Sequence, residues 1–249
     1  MKYQITGFVV GSGESPEPRL VYLGDPQKSL DTINSFFLVQ GDNKNLLIDV
    51  GFTGQYSRKY TDGIRQERNQ DPLLQLSSVG INQEDIDDII ITHVHFDHFS
   101  DIIQEYTNAR IHIQKREFEF TLNPPHPWFQ EFIDVNLLKE IAKGGESRLN
   151  LIDGACELFP GINTIPTPGH TAGHQSVLIE TNAGDCCITG DAVLNYLNLE
   201  RDVAPGFNTN LIECMQSLQK LRALSDKGVT IIVGHDPGML ERLGKIQTI

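Results

Sequence analysis

The stretch Asp88-Ile89-Ile90-Ile91-Thr92-His93-Val94-His95-Phe96-Asp97-His98 joins two unlike textures. Its first part is a continuous apolar run, the pattern of a strand buried on both faces. Its second part packs three of the eight histidines and one aspartate into six positions. A loop leaving a rigid strand end keeps its side chains where the sheet puts them. Neutral imidazole and carboxylate are natural ligands of zinc and similar ions. Alternate residues of such a loop can turn toward two neighbouring points. His93 and His95 can then serve one metal, and Asp97 and His98 another. A single histidine would read as a satisfied core residue, whereas a cluster this dense reads as a metal site.

Four local ligands cannot complete two coordination shells. Three further candidates each follow an apolar run: His170 in Thr167-Pro168-Gly169-His170, Asp191 in Ile188-Thr189-Gly190-Asp191, and His235 in Ile231-Ile232-Val233-Gly234-His235. The shared order of strand, glycine, ligand has a reason. Glycine lets the backbone bend sharply or approach a site without a Cβ in the way.

Further out, the pattern predicts strands over 3–10, 35–39 and 46–50, with a hairpin turn at Gly41-Asp42-Asn43. Residues 53–71 are polar and read as a loop or lid with little structure. Helical spacing marks 73–79, 100–106, 116–122, a long amphipathic helix over 128–142, and 210–224. Strands fit 110–114, 149–152, 162–166, 175–180, 186–189 and 229–233. The polar residues of interest fall just after strand ends, so sheets packed centrally with helices outside are expected. With no linker in the text, residues 1–249 read as one domain.

The 249 residues carry a formal net charge of −13. That balance repels phosphate backbones, and there is no basic run, so nucleic acid and anionic membranes are poor partners. No apolar run is long enough for a membrane span, and the N-terminal text reads as a strand, not a signal peptide. Four cysteines, two of them adjacent, do not make a disulfide framework. The expectation is a soluble cytoplasmic protein acting on a small molecule.

With these residues in place, the sequence resembles the metallo-β-lactamase superfamily. The motifs are Leu47-Ile48-Asp49-Val50-Gly51, the His93–His98 cluster, His170, Asp191 and His235, in that order. The resemblance implies an α/β fold, a four-layer αβ/βα sandwich with metals at one edge between the sheets. It implies that His93, His95 and His170 hold the first ion and Asp97, His98 and His235 the second. Asp191 bridges them, and Asp49 lies beneath the loop, orienting ligands. Two divalent ions follow, with zinc the first choice and iron or manganese the alternatives. Such a pair can hold a bridging hydroxide that attacks an ester carbonyl, with Asp97 orienting it or shuttling a proton.

Within the superfamily the chain looks most like acyl-homoserine-lactone lactonases. The likeness rests on residues 112–120, Thr167-Pro168-Gly169-His170-Thr171-Ala172-Gly173-His174-Gln175-Ser176, Gly190-Asp191-Ala192 and Gly234-His235-Asp236. It implies a lactone-opening, quorum-quenching hydrolase. One position departs from the pattern: these lactonases often carry a tyrosine three residues after the bridging aspartate, and here stands Leu194. Tyr196 is the candidate substitute, as a second catalytic residue beside Asp97. The rival readings are a thioester hydrolase of the hydroxyacylglutathione type and a metal-binding protein without turnover. His112 reads as structural, His126 as exposed, and His174 as a supporting neighbour of the site. Phe36, Phe37, Phe96 and Trp128 are candidates for an apolar pocket, with core packing the default for each.

Overall fold

A computed structural model describes residues 2–246. One sheet collects β1 (Gln4–Pro16), β2 (Ser29–Gly41), β3 (Lys44–Ile48), β4 (Ile64–Arg65), β5 (Asp88–Ile90), β6 (Arg110–Gln114) and β7 (Leu149–Ile152). Their order is β4-β1-β2-β3-β5-β6-β7. The second sheet collects β8 (Cys156–Phe159), β9 (Ile162–Pro166), β10 (Gln175–Thr181), β11 (Gly184–Ile188) and β12 (Thr230–Ile232), in the order β12-β11-β10-β9-β8. The helices are α1 (Glu17–Leu20), α2 (Gly54–Ser57), α3 (Pro72–Ser78), α4 (Lys115–Leu122), α5 (Val135–Ala142), α6 (Tyr196–Arg201), α7 (Leu211–Asp226) and α8 (Met239–Ile246).

Strand β2 shows why the layers stack. Successive side chains on a strand point to opposite faces. Phe36 and Leu38 enter one core with Leu76 of α3 and Leu137, Leu138 and Ile141 of α5. Phe37 and Val39 enter the other, with Ile179, Ile188 and Ile231 of the second sheet and Leu218 and Leu221 of α7. Both faces of the sheet are therefore buried, and helix, sheet, sheet and helix form the αβ/βα sandwich. Phe36 and Phe37 are core residues and do not line the cleft at the edge of the sandwich.

Several expected boundaries move. The β1–β2 hairpin pairs Gln4 with Gln40 and Pro16 with Ser29, well past its apolar part. Its polar end lacks the alternation that marks a strand, because residues such as Ser12, Glu14 and Asp31 face solvent. Residues 53–71 are not a structureless loop. They hold α2, and β4 pairs with β1 at Ser12 and Gly13. The Gln66 side chain fastens the segment by donating to Val10 O and Phe52 O, both at 2.8 Å. The long helix over 128–142 is two pieces, a 3-10 turn at Pro127–Gln130 and then α5. Asp134 starts the second by accepting from Leu137 N at 3.0 Å, a competitive N-cap. Residues 100–106 keep only a 3-10 turn, Asp101–Gln104. The sequence pattern does not mark strand β8 or helices α1, α6 and α8.

Candidate metal centre

Each candidate ligand sits just past a strand end, at one edge of the sandwich. The loop after β5 carries His93 to His98, the β9–β10 loop carries His170, and Asp191 and His235 follow β11 and β12. Their ligand atoms fall into two groups. In the first, His95 Nδ1 lies 3.0 Å from both His93 Nε2 and His170 Nε2, and Asp191 Oδ2 lies 3.2 Å from His170 Nε2. In the second, Asp97 Oδ2 lies 3.6 Å from both His98 Nε2 and His235 Nε2. Asp191 also reaches this group, with Oδ1 3.2 Å from His98 Nε2 and Oδ2 3.1 Å from His235 Nε2. It is the one side chain common to both.

The glycines before the ligands are explained by contact. A Cβ on Gly234 would lie 2.5 Å from Asp191 Oδ1. One on Gly190, whose φ is +50°, would lie 2.8 Å from His174 Nε2 and 2.9 Å from Thr92 Cβ.

Behind the ligands stands a ring of partners. Asp49, at φ 58°, accepts from Thr92 N at 2.7 Å and bonds His98 Nδ1 at 2.7 Å. A non-glycine residue held in that region marks a position its surroundings fix. His170 Nδ1 donates to Phe207 O at 2.8 Å, and His235 Nδ1 donates to Ile33 O at 2.9 Å. Each bond turns the opposite nitrogen toward the site with its lone pair free. His174 is not among the converging atoms. Its Nε2 accepts from Asp191 N at 3.0 Å and so holds the aspartate's backbone. His112 bonds Asp88 at 2.8 Å, away from the centre. Exposed His126 caps the turn that follows it by accepting from Trp128 N at 3.1 Å.

Two partners were invisible in the sequence pattern. Buried Glu117 of α4 accepts from Val94 N at 3.2 Å and Gly173 N at 2.8 Å, clamping two ligand loops together. Buried Asn34 of β2 donates from Nδ2 to Asp97 Oδ2 at 2.9 Å. Both sit among other polar residues, Lys115-Arg116 and Glu119 around Glu117 and Asp31-Thr32 and Ser35 around Asn34, so the local sequence carries no signal that sets them apart.

The donor set fits divalent metal ions. It offers imidazole nitrogens and carboxylate oxygens only, a combination suited to zinc and its first-row neighbours. His98 Nε2 and Asp191 Oδ1 are buried without a hydrogen-bond partner, although buried polar atoms are normally paired. The two atoms lie 3.2 Å apart where the groups meet, and a cation held there would satisfy both. Burial holds His93 and His95 well below the usual imidazole range, which keeps them in the neutral, ligating form. Burial also opposes charge on His98, but Asp191, Asp97 and Asp49 overcome it and raise that group well above its ordinary value. Asp191 is buried too, yet the surrounding histidines hold its carboxyl far below the usual range.

The centre lies in the floor of a cleft of about 290 Å³. Leu20, Ile64, Phe96, Phe132, Leu194 and Phe207 give it apolar walls, and Arg19 stands at its rim, 5.7 Å above the Phe207 ring. Tyr196 does not take the place of a tyrosine at Leu194. Its hydroxyl donates to Ile231 O at 3.0 Å, and its ring packs in the inter-sheet core under Arg242. Leu194 lines the cleft while Tyr196, two residues on and first in α6, turns away from it. Trp128 is half exposed and borders a small side cavity with Phe132 and Phe207.

Sandwich and paired ligand groups together define a class of protein. Residues 29–235 match the metallo-beta-lactamase superfamily, and the chain belongs to it. It is a metal-dependent hydrolase. Among its relatives is the N-acyl homoserine lactonase AttM of Rhizobium radiobacter, 29% identical over 220 residues that cover 81% of each chain. An N-acyl homoserine lactonase of Bacillus thuringiensis is 29% identical over 224 residues, 85% of this chain and 84% of that one. A solved N-acyl homoserine lactone hydrolase, with the product N-hexanoyl-L-homoserine at its catalytic metal center, superposes with a TM-score of 0.81 at 23% identity, covering 97% of this chain and 96% of that one. The dizinc quorum-quenching lactonase AidC gives 0.76 at 22% identity, covering 94% and 88%.

Proposed function

We propose that this chain opens lactone rings, acyl-homoserine lactones first among them, and so acts in quorum quenching. In this reading His93, His95 and His170 hold one divalent ion, Asp97, His98 and His235 hold a second, and Asp191 serves both. Zinc is the first candidate. The observation that carries the reading is the meeting of two ligand groups at Asp191 in the floor of a cleft with apolar walls. The relatives named above support the choice of ester.

Two ions there would supply charge that polarises a carbonyl and acidifies a water at neutral pH. The chain's own residues do the rest. Asp97 lines the cleft and is the group able to take the proton of the attacking water and pass it to the departing alkoxide. The acyl–oxygen bond of the ring breaks, and that oxygen leaves with the proton. Asp49, Phe207 O and Ile33 O hold the imidazoles still, so little reorganisation accompanies the step. Leu20, Ile64 and Leu194 accept an apolar acyl arm and keep water from it. Ligands come from 93 to 235, so the whole chain is the working unit. Among the described residues no helix is long and apolar enough to cross a membrane.

The test is a panel of homoserine lactones of several acyl lengths, other lactones and glutathione thioesters, assayed with zinc-loaded and chelated protein. Lactone opening that chelation abolishes and zinc restores is the expected result. Turnover of thioesters alone overturns the proposal in favour of the glutathione-thioester class.

A further inference from the structure

Each ligand of the second group is gripped from behind by a different residue. His98 has Asp49, and His235 has the carbonyl of Ile33. Asp97 is the shortest-reaching of the three and the most open to the cleft among the carboxylates here. Its grip comes from Asn34, the next residue along β2 from Ile33. We propose that Asn34 is a positioning residue for the second metal group: its amide donor fixes which carboxylate oxygen of Asp97 faces His98 and His235.

Three observations carry this. First, the Asn34 Nδ2 to Asp97 Oδ2 distance is 2.9 Å, a full hydrogen bond to the very oxygen that lies 3.6 Å from both imidazole nitrogens. A carboxylate has two equivalent oxygens and a freely turning χ2. An external donor is needed to choose between them. Second, the assignment of the amide is constrained by its neighbours. Asn34 Nδ2 also lies 3.3 Å from His235 Nδ1, but that nitrogen already donates to Ile33 O, so it cannot accept from Asn34. The amide's hydrogen bond at the site therefore goes to Asp97. Third, Asn34 is held rigidly. It lies in the paired part of β2 opposite Gly11, next to the register shift between Val9 and Gly11, and it is buried while still lining the cleft. The N-terminal hairpin thus reaches the site through Ile33 and Asn34, and both contacts fall on the second group.

The inference rests on the reading of the centre as a two-ion site. Partners that orient metal ligands typically contribute 10–100-fold in metal affinity or activity, about what is expected here. The experiment is a Co(II) titration of metal-free protein, followed by visible absorption, for wild type, Asn34→Leu and Asn34→Gln, with melting curves of the metal-free forms. Asn34→Leu removes the donor at similar volume, while Asn34→Gln keeps one. The expected result is an unchanged first equivalent, a second equivalent weakened about 10–100-fold in Asn34→Leu, partial recovery in Asn34→Gln, and melting temperatures alike. With lactone substrate, kcat should fall more than KM rises. Equal weakening of both equivalents together with a lower melting temperature, no change in either equivalent, or Asn34→Gln as poor as Asn34→Leu would each overturn the inference. Its failure is separable from failure of the lactone reading. Wild type that takes up two Co(II) without opening any lactone leaves the Asn34 result standing, and wild type that takes up fewer than two removes the two-ion reading itself.

Discussion

The two ligand groups are built by different means. His93, His95 and His170 belong to two loops, and those loops are clamped to each other by Glu117 through Val94 N and Gly173 N. Burial keeps His93 and His95 neutral. The second group is assembled by distant parts: Asp49 behind His98, and β2 behind His235 and Asp97. Its histidines sit among carboxylates, which raise His98 and His235 above their ordinary values against the pull of burial. The first group is thus a preformed nest of neutral nitrogens. The second is a charge-balanced arrangement whose geometry depends on elements far apart in the chain. Loss of a ligand should reveal two sites with separate supports, joined at Asp191.

The largest effect should follow Asp191→Ala, because Asp191 lies in contact range of ligands from both groups. Both ions should weaken, and lactone turnover should fall by more than the roughly 100-fold that bounds losses from outlying partners. His170→Ala and His235→Ala, in contrast, should each spare one ion. Elemental analysis after gel filtration gives the stoichiometry. If His170→Ala and His235→Ala both leave a metal-free protein, the two groups are one cooperative unit and the comparison breaks.

Gly234→Ala acts on the joint itself with a single methyl group. The new Cβ would fall 2.5 Å from Asp191 Oδ1, the oxygen that faces His98. The carboxylate must turn or the β12 end must move. The expected outcome is a second ion weakened about 10–100-fold, with the first less affected, read by metal titration. Equal loss of both would show that Asp191 cannot shift without leaving the first group as well.

These contacts also explain what could be read in advance. The candidate ligand residues could be picked out in advance, since a dense histidine cluster and three strand–glycine–candidate sequences carry their chemistry in local text, and the fold brings those residues into two neighbouring groups. So was the sandwich, because apolar runs such as 88–91 and 46–50 identify buried strands. Supports that depend on a distant partner were not. Nothing near Asn34 indicates Asp97, 63 residues away, and nothing near Glu117 indicates Gly173. Tyr196 failed for a related reason: a position two residues past Leu194 suggests proximity, but Asn195 caps α6 there and turns the ring into the core. Residues 53–71 lacked a pattern because their anchors are scattered: side-chain bonds from Gln66, and Tyr56, Tyr60 and Ile64 packing on the core at no regular spacing.

Glu117→Leu should come next in size and fall on the first group. It removes the acceptor from two buried backbone N–H groups, and each orphaned donor costs about 1–3 kcal/mol. A melting temperature lower by several degrees follows for a chain of this length. The more specific expectation concerns metal: the first ion should weaken while the second holds, the reverse of Gly234→Ala. Metal titration of the metal-free protein decides it, and weakening confined to the second ion would contradict the assignment of Glu117 to the first.

The smallest effect is expected at the other end of β5, where the strand carries no ligand. Asp88 accepts from His112 at 2.8 Å and from Lys44 at 2.7 Å. Burial opposes its charge, but the bonds from His112 and Lys44 prevail and hold the carboxyl below its ordinary value. A folded-state value below the unfolded one stabilises the fold above the unfolded pKa of about 4, and that contribution fades as pH drops through the lower folded value. Lys44→Met removes one of the two partners. Because the lysine side chain is 37% exposed, solvent screening limits the change, to about 1 kcal/mol or less. Denaturant unfolding of wild type and Lys44→Met should therefore differ slightly at pH 7, and the difference should shrink toward pH 3. Both ions should bind the variant as they bind wild type. A variant that kept its stability yet lost an ion would mean that the two ends of β5 are coupled, and the separate supports inferred for the two metal groups would then have to include the sheet beneath them.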